Sequence, residues 1–198
     1  MSDDVASAPT AEKDRRRGIA GMIVVFKVAG AAAERGDGLA EVVRIAEAAN
    51  GASHSIGIAL SACEVPGSGG PTFELPPDEI EIGMGVHGEP GISRGPLRPA
   101  DELAAIMVAA IADDIGAWRG HVALLVNGLG ATAHLDQYIL YRGARRALEA
   151  AGFRVARSYV GEYITSLEMS GASLTVTVLD PELSALLDAP ARTARIER

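Results

Sequence analysis

The amino-acid sequence predicts an α+β protein: a mixed β-sheet covered by helices, in a single domain over residues 15–198 that follows a flexible tail over residues 1–14. Three observations carry that expectation. The chain has 198 residues, 48% of them hydrophobic, which is enough to bury one substantial core and within the range of one domain. Segments of helical and strand-like pattern interleave without the strict alternation of a doubly wound parallel sheet. No internal repeat or heptad is visible.

Met1 to Lys13 is small, polar and acidic, with too little apolar surface to offset the entropy of ordering it, and reads as the tail. Arg15, Arg16 and Arg17, expected to pair with acidic groups of the surface, precede Gly18 and an alanine-rich stretch to Arg35 that reads as a buried helix closed by Gly36-Asp37-Gly38. A second helix, Leu39 to Ala49, has apolar residues at helical spacing and ends at Asn50-Gly51. Ser55 to Val65, rich in Ile, Ala and Leu, reads as a central strand buried on both faces. The Pro66–Pro71 loop turns the chain, and Thr72 to Leu75 and Glu79 to Val86 come next as extended segments. In the second of these Ile80, Ile82 and Met84 share one face. Pro99 opens a helix over Ala100 to Trp118, Val122 to Val126 is a strand, and Asn127-Gly128-Leu129-Gly130 leads into a helix from Leu135 to Ala151. Phe153 to Tyr163 and Ser173 to Leu179 read as strands, and Pro181 begins a short last helix, Glu182 to Leu187.

The formal charge of -8 and pI near 5 argue against nucleic acid or an anionic membrane surface as partner, since either asks for a basic face. No apolar run approaches the roughly 20 residues that span a bilayer; the nearest, Ile19 to Ala33, is interrupted by Lys27. A single cysteine, Cys63, cannot form an internal disulfide and reads as a small buried residue. With no signal-type N-terminus, the expectation is a reduced, cytoplasmic protein. Aromatic residues make up only 4%, leaving few rings to stack on sugars or bases.

The short motifs are weak as cofactor sites. Gly67-Ser68-Gly69-Gly70 precedes an extended segment, so no helix N-terminus faces an anion there, and it is not a serine nucleophile elbow. Asn127-Gly128-Leu129-Gly130-Ala131-Thr132 lies between strand and helix, but lacks the third dinucleotide glycine and the Lys-Ser/Thr of a P-loop. His54, His87, His121 and His134 show no close pairing, so neither a metal nor a bound cofactor is expected on this chain. His54 and His121 at strand starts read as satisfied by local hydrogen bonds, and His134 as solvated in the first turn of a helix.

His87 differs. It ends an extended run and is bounded by Gly85 and Gly88, which permit close approach of a ligand, with Glu89 and Pro90 stiffening the backbone beyond. A turn of this kind also arises for packing alone. A neutral imidazole nitrogen is a nucleophile that can add reversibly to a ketone or aldehyde, giving a hemiaminal; with an ordinary pKa near 6.5, about three-quarters of such rings are neutral at pH 7. Glu79, Glu81 or Glu89 could orient the other ring nitrogen.

Several ordered runs carry a resemblance: AGAAAERGD (Ala29 to Asp37), HSIGIALSAC (His54 to Cys63), PTFEL (Pro71 to Leu75), EIGMGVHGEPG (Glu81 to Gly91), LGAT (Leu129 to Thr132) and YITSLEMSG (Tyr163 to Gly171). From about Arg16 onward the chain resembles the C-terminal half of the substrate-binding K subunit of dihydroxyacetone kinases. The resemblance implies that His87 anchors a ketose covalently as a hemiaminal, selecting carbonyl-bearing trioses over glycerol. In that family the acid/base histidine and catalytic aspartate lie in an N-terminal half, in runs such as Gly-Gly-Gly-Ser-Gly-His-Glu-Pro and Asn-Tyr-Thr-Gly-Asp; neither run occurs here. The phosphoryl donor, ATP or a phosphotransferase-system relay, belongs to a separate L subunit or domain. The resemblance therefore implies a kinase subunit inactive alone, completed by an N-terminal-half K chain and an L subunit in an oligomer, with dihydroxyacetone, erythrulose or another short ketose as substrate. A piece of a longer kinase has the same pattern. The rival expectation is a non-enzymatic ketose sensor, and a structural remnant is the blandest. One departure is Asn127-Gly128 where the family has Asn-Asn, which puts a polar role for position 128 in doubt.

Overall fold

The strand expected at the centre of the sheet is buried at all seven positions. This strand, β1 (Ser53–Ala59), is third in a six-stranded sheet of order β3-β2-β1-β6-β4-β5. The structure, a computed structural model, describes residues 1–86, 89 and 91–197. The helices are α1 (Met22–Glu34), α2 (Leu39–Ala52), α3 (Ala100–Ile115), α4 (His134–Ala150) and α5 (Pro181–Asp188). The remaining strands are β2 (Glu79–Ile82), β3 (Ser93–Pro96), β4 (His121–Gly128), β5 (Arg154–Gly161) and β6 (Gly171–Val178). Only β4 and β5 run parallel, joined through α4; the other neighbours are antiparallel. The mixed sheet covered by helices is thus as expected.

The two faces of the sheet differ in chemistry. On one, Ile56, Ile58, Val122, Leu124, Val126, Leu174 and Val176 pack against Leu103, Met107 and Ile111 of α3 and Leu140, Ala144 and Leu148 of α4. The helical spacing of those residues is what lays both helices on this face. On the other face Ser53 and Ser55 of β1 meet Thr177 and Thr175 of β6, hydroxyl to hydroxyl at 3.0 and 2.6 Å, all four buried. Over this face lie α1, α2 and α5, whose Val24, Val28, Ile45, Leu183 and Leu187 form a second apolar cluster with Ala123 of β4. Helix ends follow local chemistry: Asp101 and Glu102 place negative charge in the first turn of α3, and Gly116 (φ 75°) ends it. Asp180 caps α5 by accepting from the Leu183 N–H at 2.7 Å, with Pro181 in the first turn.

The structure departs from the expectations at four places. β1 stops at Ala59 rather than Val65, because the Leu60 and Ser61 N–H groups turn to the Ser170 carbonyl. Thr72 to Leu75 is not a strand; Pro71 makes only an isolated bridge with Glu64. β2 stops at Ile82 because Gly83 takes a positive φ of 79°. β3, Ser-Arg-Gly-Pro, is an exposed edge strand without alternation, which leaves no periodic signal in the sequence.

The flexible tail over residues 1–14 is also corrected. Asp3 and Asp4 are fully buried, residues 10–15 form a short 3-10 helix, and Asp4 bridges in parallel to Ser55. The Asp3 carboxylate accepts from the Ile19 and Gly21 N–H groups at 2.8 and 2.9 Å and from the Ser55 hydroxyl at 2.5 Å. The anchoring is charge-assisted rather than apolar, so a count of apolar surface could not reveal it. Among the described residues no helix is long and apolar enough to cross a membrane.

Candidate functional site

The turn that the sequence singles out connects β2 to β3, and its described flanks are held on every side. The Gly83 N–H donates to the Gly57 carbonyl at 2.7 Å and the Ile92 N–H to the Ile82 carbonyl at 2.8 Å. Gly57 has no side chain for a packing reason: a Cβ there would lie 2.7 Å from the Met84 carbonyl oxygen. Met84 and Val86 are buried with Ile19, Ala20, Ala59 and Cys63 beneath the turn. Across the turn, the Gly85 N–H donates to the Glu89 carbonyl at 3.2 Å. His87 and Gly88, two of the four site residues singled out from the sequence, lie outside the described residues; Gly85 is buried and Glu89 half-buried.

Of the three carboxylates weighed as orienting groups, Glu81 is committed elsewhere. It is buried on β2, accepts from the Gly91 N–H at 2.6 Å through one oxygen and from Arg94 of β3 at 2.9 Å through the other, and so closes the base of the turn. Glu79 stands at the far end of β2, paired with Pro96. Glu89 is within the turn itself: a Cβ on Gly85 would collide with its Oε2 and lie 2.9 Å from Arg17 Nη1. Gly85 is therefore the space in which a carboxylate and a guanidinium converge. Neither Arg17 nor Arg94 was singled out from the sequence: Arg17 is distant in sequence from the motif, and Arg94, though only three residues beyond it, lies on an edge strand without alternation that gives no sign of its pairing with Glu81.

The other histidines are accounted for. His54 is buried at the start of β1, with Nδ1 2.6 Å from Asp114 of α3, a long-range partner where a local one was expected. Burial pushes the His54 ring below its ordinary value, against the pull of Asp114. Arg16 holds the same carboxylate in two-pronged fashion at 2.8 and 2.7 Å, and Thr10 also donates to it. Burial would raise the Asp114 pKa, but hydrogen bonds from Arg16, Thr10 and His54 outweigh it and hold the group below the usual carboxylate range. His121 and His134 are exposed, and Cys63 is a buried free thiol. Among the described residues no group of three or more potential ligands could hold a metal ion.

Two further motifs are structural clamps. Asn127 accepts from the Tyr163 and Ile164 N–H groups, both at 2.9 Å, and donates to the Ile164 carbonyl and the Ser173 hydroxyl. Thr132 and Gly171 exchange two hydrogen bonds, which bolts Leu129–Thr132 to Tyr163–Gly171. At position 128, Gln137 of α4 occupies the space of a side chain, since a Cβ there would collide with its amide nitrogen. A cavity of about 500 Å³ borders the site, lined by Phe73, Leu75 and Arg94 among others. A larger one of about 830 Å³ lies between α1 and residues 189–196, with no histidine, cysteine or serine among the described residues that line it.

The model of the Dak1 domain family matches residues 1–195. This chain belongs to the Dak1 family. The match begins at residue 1, so the domain takes in the anchored N-terminal segment along with the sheet. This Dak1 domain is 43% identical over 194 residues to D-erythrulose kinase of Mycolicibacterium smegmatis, covering 98% of the chain and 33% of that protein. It is 41% identical over 194 residues to the dihydroxyacetone-binding subunit DhaK of PTS-dependent dihydroxyacetone kinase 2 from Listeria innocua, covering 98% of the chain and 58% of that subunit. Among solved structures, the dihydroxyacetone kinase operon co-activator Dha-DhaQ superposes with a TM-score of 0.87 at 32% identity, over 96% of this chain and 59% of that one. The chain thus spans between a third and three-fifths of the length of these relatives.

Proposed function

We propose that this Dak1 domain is the C-terminal part of a substrate-binding K subunit and holds a short-chain ketose covalently through His87. A ring nitrogen adds to the carbonyl carbon: one N–C bond forms, the carbonyl π bond breaks, and the ring proton ends on oxygen as a hydroxyl, with no water lost. The product is a hemiaminal. Dihydroxyacetone and erythrulose both present the required carbonyl. Phosphoryl transfer is completed by an N-terminal-half K segment, which supplies the base for the substrate hydroxyl, and by an L subunit or domain using ATP or a phosphotransferase-system donor; alone the chain does not turn over. We place this assembly in the cytoplasm as an oligomer.

The observation that carries the reading is the frame around positions 87 and 88. In a member of a family whose relatives include erythrulose and dihydroxyacetone kinases, the EIGMGVHGEPG run is fixed at both limbs, by Gly57 at one side and Glu81 with Arg94 at the other. Carbon-13 NMR with dihydroxyacetone labelled at the carbonyl carbon tests it. The carbonyl signal should move to the tetrahedral range with the wild-type chain and not with His87→Ala, and the native mass of the adduct should equal protein plus intact ketose. An adduct that persists in His87→Ala, or one that has lost water as a lysine imine does, rejects the reading.

The similarity to an operon co-activator favours a second reading, in which ketose capture biases association with a partner and no phosphorylation ensues. Reconstitution with an N-terminal-half K chain, an L subunit and a phosphoryl donor separates the two: ketose phosphate accumulates only under the first.

A further inference from the structure

Resting on the ketose-binding reading, we propose that Arg17, held by buried Asp4, is a positioning residue that sets the geometry of the turn bearing His87. The guanidinium is anchored on the N-terminal side, where Nε and Nη2 lie 2.9 and 2.7 Å from Asp4 Oδ2, and the Asp4 side chain is fully buried. Its backbone is fixed as well: the Arg17 N–H donates to the Ser7 hydroxyl at 3.0 Å and its carbonyl accepts from the Asp4 N–H at 3.2 Å. From this mount Nη2 donates to the Gly83 carbonyl at 2.9 Å, at the residue whose positive φ ends β2. Nη1 lies over Gly85, at the point where the Glu89 carboxylate also converges. One side chain therefore reaches the incoming limb of the turn at Gly83 and the ground shared by Gly85 and Glu89.

The packing is tight enough to transmit a displacement. A Cβ on Gly83 would lie 2.6 Å from the Cβ of Ala6 and 2.9 Å from Ile92 Cγ1, so the N-terminal segment and the far limb of the turn close on the same backbone atom. Arg17 is a planar fork that holds Asp4 and the Gly83 carbonyl through Nη2 while Nη1 lies over Gly85; the compact ammonium of lysine could reach the first two but has no second arm for the ground shared by Gly85 and Glu89. Arg16, one residue earlier, points instead to Asp114 on α3, which ties the same segment down from another element.

The test compares Arg17→Lys, Arg17→Gln, Asp4→Asn and Arg16→Lys in the full chain, with labelled dihydroxyacetone as probe and His87→Ala as reference. Arg17→Gln should weaken ketose capture by about tenfold, the equivalent of one lost charge-assisted hydrogen bond, with Asp4→Asn shifting it in the same direction. Arg17→Lys should recover part of the affinity. Amide hydrogen exchange at Gly83 and Gly85 should speed up in the Arg17 variants and stay near wild type in Arg16→Lys, even though that variant lowers the melting temperature. Capture within twofold of wild type in folded Arg17→Lys, with unchanged exchange in the turn, overturns the assignment; should Arg17→Gln fail to fold, Arg17→Lys and Asp4→Asn still decide it. If the wild-type chain itself forms no His87-dependent adduct, the ketose-binding reading fails instead, and the exchange measurement still reports whether Arg17 governs the turn.

Discussion

Replacing Asp3 with alanine puts the anchoring of the N-terminal segment to a quantitative test. In the wild type its carboxylate serves three donors in a fully buried site, the Ile19 and Gly21 N–H groups and the Ser55 hydroxyl. After substitution Ser55 keeps Thr175 as a partner, but two buried backbone N–H groups lose theirs, at about 1–3 kcal/mol each. The lost anion also sat before the first turn of α1, where negative charge contributes up to about 1 kcal/mol. Removing a buried charge returns part of its desolvation cost, so a net loss of about 3 kcal/mol is expected. For a chain of this size each kcal/mol moves the melting temperature by about 2–4 °C, which gives a drop of about 6–12 °C. Circular dichroism melts of wild type, Asp3→Ala and Asp3→Asn read it directly, with Asn intermediate because it retains one acceptor. A melting temperature for Asp3→Ala within about 2 °C of wild type would show that residues 1–14 are the dispensable tail their composition implies, and would refute the anchoring role of the carboxylate.

Gly57→Ala forces β1 and the Met84 carbonyl apart and should cost about 1–3 kcal/mol in urea unfolding, with weaker ketose capture because the displaced atoms lead into the turn. Gly130→Ala is strained twice over, by a φ of 130° and by collision with the Leu167 carbonyl; a loss of at least about 2 kcal/mol in the same assay is expected. His54 carries a pH signature. Its folded pKa lies below the ordinary value, so on acidification the unfolded chain takes up a proton that the folded chain refuses. Its contribution is full above about pH 6.5 and is lost as pH falls toward the folded value. Melts at about pH 7.5 and about pH 5 should show that loss in the wild type and a smaller one in His54→Gln, while the Asp114 contribution disappears only at more acid pH.

What the sequence revealed and what it hid divide along physical lines. Strands buried on both faces, such as β1 and β4, and helices with apolar residues at three- and four-residue spacing, such as α3, announce themselves because burial imposes their pattern. β3 and the N-terminal segment do not, since an exposed edge needs no periodicity and Asp3, Asp4, Arg16 and Arg17 are satisfied by partners far along the chain. At the candidate site the run Glu81 to Gly91 was singled out from the sequence, and of its site residues Gly85 and Glu89 are among those described. Its supports, Arg17 and Arg94, became visible only when the chain was folded, and Glu81 changed role from possible ring partner to a tie between Gly91 and Arg94.

The hydroxyl-lined side of β1 and β6 works as a ratchet that admits one setting. Sliding the pair by a single residue would swing Ser53, Ser55, Thr175 and Thr177 into the Leu and Met layer of α3, and bring Ile56, Leu174 and Val176 under groups that require hydrogen bonds. Because Gly83 is tied to Gly57 of that same strand, the described approach to the loop takes its longitudinal coordinate from β1, inside the sheet.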